Sequence, residues 1–420
     1  MQILRNVHDV ALEYLRHFPV VVIEGARQVG KTTLSRQLRG DDPEAVFVDL
    51  DDTSELDEAR FAPSAFVDQA KTTLVIDEVQ RFPEISLYIK TSLERDRRPG
   101  RFLLTGSVGV LSVPNNPESL AGRAATIHLQ GLSQGERTGQ VDDFVSFLRN
   151  LKTPYDAASS ATRSDYARDL ARGGFPEIQS STPQLARAWF RNYVARLLEK
   201  DIGIFPRGTE PARVKSVLNL LASNHSGELV YARLANQLDI SMPSVRDTVD
   251  ALSNVFLIDR IPAWSPNLTK REVSRPKAII SDSGLAAHLM RETAESLSGL
   301  RSATFGSLLE GFVASELHKQ KEWAQEYFDV YHYRDRDGLE VDLILALENG
   351  DIIGIEVKAT GDPRISHATG LSKLKERVGS KWRAGIVFHT GTKGAPLGED
   401  IFALPISALW GGVSRRPAAG

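Results

Sequence analysis

A chain of 420 residues has room for two or three domains at about 150 residues each, every one large enough for its own core. Its hydrophobic content of 41% is that of a globular protein, and no apolar run approaches the ~18 residues of a membrane span, so no membrane partner is expected. The absence of cysteine excludes disulfides and thiolate zinc sites, and a net charge of −3 means that any nucleic-acid contact has to come from local basic patches.

At the N-terminus Arg5, His8, Asp9, Glu13 and Arg16 stand among apolar residues. They predict an amphipathic helix in place of a secretory signal, which leaves the cytoplasm as the default compartment. The β-branched run Pro19–Ile23 predicts a strand. It leads into Gly25-Ala26-Arg27-Gln28-Val29-Gly30-Lys31-Thr32, after which Thr33, Leu34 and Leu38 begin a helix. A G-x-x-x-x-G-K-[ST] stretch between a strand and a helix is a P-loop. Gly25 and Gly30 let successive N–H groups turn toward phosphate oxygens, and the helix adds the positive end of its dipole. Residues 25–33 are therefore expected to bind a nucleotide, with Lys31 reaching the β- and γ-phosphates and Thr32 ligating Mg²⁺.

Val46–Leu50 reads as a second strand followed by an acidic loop. Thr73–Glu78 predicts a strand that ends in two carboxylates. Asp77 suits the Mg²⁺ shell and Glu78 the general base for an attacking water, so the doublet points to hydrolysis as well as binding. A third strand, Arg101–Ser107, ends in hydroxyls, and either Thr105 or Ser107 is placed to sense the γ-phosphate. Arg123 is either an arginine finger on the nucleotide of a neighbouring subunit, in a homo-oligomer with shared sites, or a surface arginine before the strand Ala125–Leu129.

The run Gly25–Leu34, then Val75-Ile76-Asp77-Glu78-Val79-Gln80, Leu103-Leu104-Thr105-Gly106-Ser107 and Leu120-Ala121-Gly122-Arg123 resembles the prokaryotic AAA-type ATPases fused to a C-terminal domain of unknown function. Gly173–Glu177 and Ser281–Leu285 extend the resemblance over nearly the whole chain. It implies ATP binding, a winged-helix middle and a nuclease-like end.

Residues 140–205 are helical in pattern, with Gln140–Leu151 as one helix and a Ser/Ala/Thr-rich boundary at Asp156–Ser164. Trp189, Phe190, Tyr193, Leu197 and Leu198 share a helical face that suits a core. Three short helices (Val214–Asn224, Val230–Ala235, Met242–Val255), with Ser241 as N-cap of the third, followed by the strand Phe256–Ile258, predict a winged helix-turn-helix. Its third helix would present Ser244, Arg246 and Asp247 to a DNA groove. Arg260, Lys270, Arg271, Arg275 and Lys277 would furnish a basic wing for phosphates. Use of the same module against protein partners is the alternative.

Leu339–Leu347 and Ile352–Lys358 predict a hairpin. A three-residue loop with left-handed Gly350 pairs 347 with 351 and aligns Leu343 with Ile355, whereas a two-residue Asn-Gly turn would scatter the polar residues; burial favours the former. Asp342 then faces Glu356 with Lys358 alongside, a group suited to a divalent cation bound by hard oxygens. This pattern resembles restriction-endonuclease-like nucleases, and the resemblance implies Glu310, on the helix Phe305–His318, as a further acidic metal ligand. A structural ion pair of Lys358 with either acid is the alternative.

The expected class is α/β: a P-loop ATPase domain (residues 1–150), a helical lid (151–206), a winged helix (207–298) and a restriction-endonuclease-like domain (299–420). The expected activity is ATP hydrolysis coupled to DNA binding, with metal-dependent cleavage at Asp342, Glu356 and Lys358. An ATP-switched regulatory protein that only binds partners is the other reading.

Overall fold

The computed structural model describes residues 3–108, 120, 122–200, 210–266 and 274–413. The chain divides into two compact units: one runs to Leu132 and takes in Asn254–Phe256, and the other begins at Ser133. None of the described helices is long and apolar enough to cross a membrane.

In the first unit, α1 (His8–His17) precedes β1 (Val20–Glu24) and α2 (Lys31–Arg39) follows it. Strands β2 (Val46–Asp49), β3 (Leu74–Asp77), β4 (Phe102–Gly106) and β5 (Ala124–His128) complete a parallel sheet in the order β2-β3-β4-β1-β5. β1 is an unbroken apolar run because a central parallel strand is covered on both faces, and Val20 through Ile23 are fully buried. Ile76 lies opposite Leu104, and Ile23 opposite Thr105. Gly25, Asp77 and Thr105 therefore reach the same C-terminal edge, where open α/β sheets bind ligands. Arg5 lies ahead of α1 and not within it. The acidic stretch after β2, expected as a loop, is the helix Thr53–Phe61, whose first N–H groups are capped by Asp52.

In the second unit a short strand, β6 (Val141–Asp142), precedes the helix Phe144–Asn150. The predicted helix from Gln140 starts late because Asp143 caps it, accepting the Ser146 N–H at 3.0 Å. The aromatic face of the helix Pro183–Lys200 is core as expected: Phe190 and Tyr193 are buried, and Phe175 packs 4.9 Å from the Trp189 and Tyr193 rings. Next come α3 (Pro211–Ser223), β7 (Gly227–Glu228), α4 (Tyr231–Leu238), α5 (Met242–Asn254), β8 (Ile258–Ile261) and β9 (Lys277–Ile280). Their strands form a small antiparallel sheet in the order β7-β9-β8.

Helix α6 (Phe305–Gln320) leads to β10 (Phe328–Arg334), β11 (Glu340–Leu347) and β12 (Ile352–Lys358). Helix α7 (Thr369–Val378) then crosses over to β13 (Trp382–His389), followed by β14 (Ala395–Gly398) and β15 (Ile401–Pro405). The sheet order is β10-β11-β12-β13-β15-β14, with β12 parallel to β13. The hairpin register is the expected one: Leu343 pairs with Ile355, the Leu347 N–H donates to the Asp351 carbonyl at 2.9 Å, and Gly350 has φ 87°. Leu371 and Leu374 of α7 pack on Val341, Ile344 and Ile352.

Residues 133–150, expected to close the first domain, belong to the second unit, together with most of the segments expected as lid, winged helix (Asn254–Phe256 apart) and nuclease-like domain. Buried hydrogen bonds are the reason. The Gln134 N–H donates to Glu316 at 2.8 Å, the Phe144 N–H to Gln320 Oε1 at 2.8 Å, and Gln320 Nε2 to the Leu409 carbonyl at 2.7 Å. β6 also pairs with β16 (Gly412–Val413).

Asp142 is fully buried in this joint and accepts from Ser133 Oγ at 3.1 Å and the Gly135 N–H at 3.2 Å. Burial, then the charge of Glu316, push its carboxyl from 3.8 up to about 7. The folded chain holds this proton more tightly than the unfolded one, so the contribution to stability is full below the unfolded value and is lost as pH rises through about 7. The second unit is expected to melt several degrees higher near pH 4 than above about pH 7, and Asp142→Asn to flatten that slope, as read by thermal melting across pH.

Candidate functional site

The P-loop is assembled from backbone. At Gly25 a Cβ would come within 2.0 Å of the Leu129 carbonyl oxygen, so the close approach of β5's end to the loop requires glycine. Gln28 (φ 64°) and Gly30 (φ 100°) are left-handed and turn the chain into α2. Ala26 and Val29 are buried, Arg27 is half-buried, and Gln28 and Thr33 are exposed. Lys31 is 4% exposed, and its Nζ donates to the Gly25 and Ala26 carbonyls at 2.9 Å each, holding the ammonium against the loop. Thr32 follows in the first turn of α2, half-buried.

Beside the loop, Asp77 is 1% exposed and accepts a hydrogen bond from Thr105 Oγ1. The Glu78 N–H donates to the same hydroxyl at 3.3 Å. Glu78 itself is left-handed (φ 54°, ψ 44°) and starts a short 3-10 turn, Val79–Arg81. Its Oε2 accepts from Ser107 Oγ at 3.2 Å and from Gln80 Nε2, which also donates to Ser107 Oγ at 3.0 Å. Thr105 thus contacts Asp77 and the Glu78 N–H, and Ser107 contacts the Glu78 carboxylate. Gln80 was missed by sequence reasoning; its only signal is its place two residues past the carboxylate doublet.

Arg123 immediately precedes β5, whose Ala124 pairs with Val20 at the start of β1. It lies at the sheet edge opposite its own P-loop, roughly 16 Å away along a five-residue strand, so it does not bind that nucleotide. Arg5, read as one face of a helix, is buried instead, and Nη1 donates to the Val29 carbonyl at 2.8 Å.

In the second unit the structure brings Glu310, Asp342, Glu356 and Lys358 together. The β11–β12 ladder ends at Leu343 and Ile355, and the Asp342 carboxylate takes the Val357 N–H at 2.8 Å. Lys358 Nζ pairs with Glu356 and lies 3.7 Å from Asp342. A further cation enters that was not expected: Lys277, 2% exposed on β9, binds Glu310 at 2.8 Å and Glu340 at 3.1 Å. Burial, then the charge of Asp342, push the carboxyls of Glu310 and Glu356 up to about 8. Burial opposes charge on both lysines, but the carboxylates around them prevail and raise both.

Two ammonium groups, those of Lys277 and Lys358, stand among these carboxylates. Among the described residues no group of three or more His, Asp or Glu side chains is arranged to hold a metal ion. Glu310, Asp342 and Glu356 lie in one cluster in which Lys277 pairs with Glu310, Lys358 pairs with Glu356, and Asp342 accepts the Val357 N–H.

The basic wing is also smaller than expected. Lys277 belongs to the buried cluster, and Arg260 is paired with Asp250. Arg275 is exposed, and Lys270 and Arg271 lie outside the described residues. On α5, Arg246 and Asp247 are exposed and Ser244 is half-buried, close to expectation. The Ser241 hydroxyl accepts the Ser244 N–H at 3.3 Å, as its capping role requires.

Three family models match successive parts of the chain. Residues 17–138 match a family model described as an AAA domain. Residues 163–296 and 305–409 match models described as Domain of unknown function (DUF8612) and Domain of unknown function (DUF4143). An uncharacterized protein of Mycobacterium tuberculosis is 29% identical over 397 residues, spanning 94% of this chain and 82% of the relative. One of Mycobacterium bovis matches with the same values. Among solved structures, the Walker-type ATPase of Pyrococcus abyssi is 16% identical with a TM-score of 0.44, covering 69% of this chain and 96% of its own. The Thermotoga maritima RuvB Holliday junction branch migration motor is 18% identical with a TM-score of 0.29, covering 61% and 89%. The AAA match, joined to a P-loop at the end of the inner strand of a five-stranded parallel sheet, makes the N-terminal part of this chain an AAA-type P-loop ATPase domain.

Proposed function

We propose that the protein hydrolyses ATP as a switch, and that its second unit binds a partner without cutting it. The observation that carries the first half is the pair of linked contacts at the sheet edge, Thr105 on Asp77 and Ser107 with Gln80 on Glu78. In this reading the loop N–H groups and Lys31 hold the phosphates, and Glu78, fixed by two side chains, takes the proton of the attacking water. Thr32 and Asp77 are hard oxygen donors and fit Mg²⁺, which supplies charge neutralisation on the phosphates when bound.

Support for the second half comes from the cluster around Lys277, whose two ammonium groups already answer the carboxylates that a cutting site would turn to metal. A second reading, DNA as the partner, is favoured by one observation. The order α3, β7, α4, α5, β8, β9 with the sheet β7-β9-β8 fits the winged-helix reading, in which the third helix carries Arg246 on an exposed position.

Glu78→Gln is expected to keep ATP binding while losing turnover by about 10²-fold or more, and Lys31→Ala to lose binding. Parallel binding and steady-state hydrolysis measurements check both, and unchanged turnover in Glu78→Gln removes Glu78 as the base. If Arg123 serves a neighbour's nucleotide, Arg123→Ala protein mixed with Lys31→Ala protein recovers part of the turnover that each lacks; hydrolysis assays of the mixture that stay flat rule this out. Plasmid or branched DNA incubated with the protein and Mg²⁺ or Mn²⁺ is expected to stay intact. Cleavage that Asp342→Ala abolishes and Lys31→Ala preserves would overturn the non-cutting assignment.

A further inference from the structure

Arg5 is 6% exposed, and its guanidinium is held by backbone carbonyls from two separate stretches. Nη1 donates to Val29 at 2.8 Å; Nη2 donates to Gln130 at 2.8 Å and to Gly131 at 3.4 Å. A charged head removed from water persists only where its N–H groups find acceptors. Here the acceptors are the middle of the P-loop and the residues just past β5.

The Val29 contact bears on the chemistry of the loop. A trans peptide is planar, and its C=O points away from the N–H of the next residue. Drawing the Val29 carbonyl toward Arg5 therefore aims the Gly30 N–H the other way. Gly30 sits at φ 100° and ψ 24°, and a glycine there leaves the 29–30 peptide free to turn over, because both signs of φ are open to it. The Lys31 contacts with the carbonyls of Gly25 and Ala26 fall at the other end of the loop.

We propose that Arg5 is a positioning residue of the nucleotide site, fixing the Val29–Gly30 peptide so that the Gly30 N–H stands ready as a phosphate donor. The proposal rests on the reading of residues 25–32 as the ATP site. A donor aimed at a phosphate that ATP and ADP share acts on the bound ground state and the transition state alike, so its loss appears in KM and not in kcat.

The test is hydrolysis and nucleotide binding by the full chain carrying Arg5→Ala or Arg5→Lys. Arg5→Ala is expected to raise KM for ATP and Kd for ADP about tenfold, the scale of one charge-assisted hydrogen bond, with kcat within about twofold of wild type. Arg5→Lys keeps the charge and one donor and is expected to fall between the two. A fall in kcat with KM unchanged, or KM equal to wild type in a variant that melts like wild type, overturns the assignment. If Arg5→Ala does not fold, Arg5→Lys decides alone: a KM equal to wild type overturns it. Wild-type protein that binds neither ATP nor ADP overturns the nucleotide site itself, whereas wild type and Arg5→Ala binding both equally well overturns the role of Arg5 only.

Discussion

Parallel pairing of β3, β4 and β1 is the constraint on which the first unit depends. Strands covered on both faces have no room for polar side chains along their length, so chemistry begins where they end. The register brings three such ends level. A glycine loop, a carboxylate doublet and a pair of hydroxyls, far apart in sequence, become neighbours without any side chain having to reach far.

The second unit solves a different problem, that of charge drawn inside. Helix α6 carries Glu310 in its second turn and Glu316, Lys319 and Gln320 toward its end, and none of these faces solvent freely. Their partners come from residues 134, 144, 277 and 409. Buried ion pairs recover at best the desolvation they incur, and deletion of one member strands the other. What they impose is a unique arrangement: α6 is seated only when segments from three parts of the chain are in place around it.

Much of this was legible in the sequence. The P-loop, the carboxylate doublet and the hairpin register are local patterns, and the last was decided by which side chains a one-residue slip would expose. In the Ser/Ala/Thr-rich stretch at 156–164 small polar residues serve as caps as readily as linkers. Thr162 opens the helix Arg163–Arg172 through a capping box with Asp165, and the division into compact units lies earlier, after Leu132. Lys277 looked like a wing residue because its partners, Glu310 on α6 and Glu340 on β11, lie far along the chain. Arg5 and Gln80 carry no local signature; their roles exist only through acceptors supplied by the folded chain.

The approach of the Leu129 carbonyl to Gly25 has a mechanical meaning. Two backbones touching with no side chain between them leave no slack, so one cannot slide past the other without displacing it. Any side chain at the head of the loop has to push the end of β5 away, at the stretch where the chain leaves the sheet. The fold thus reserves that position for the one residue without a side chain, and it is the backbone beyond β5 that reserves it.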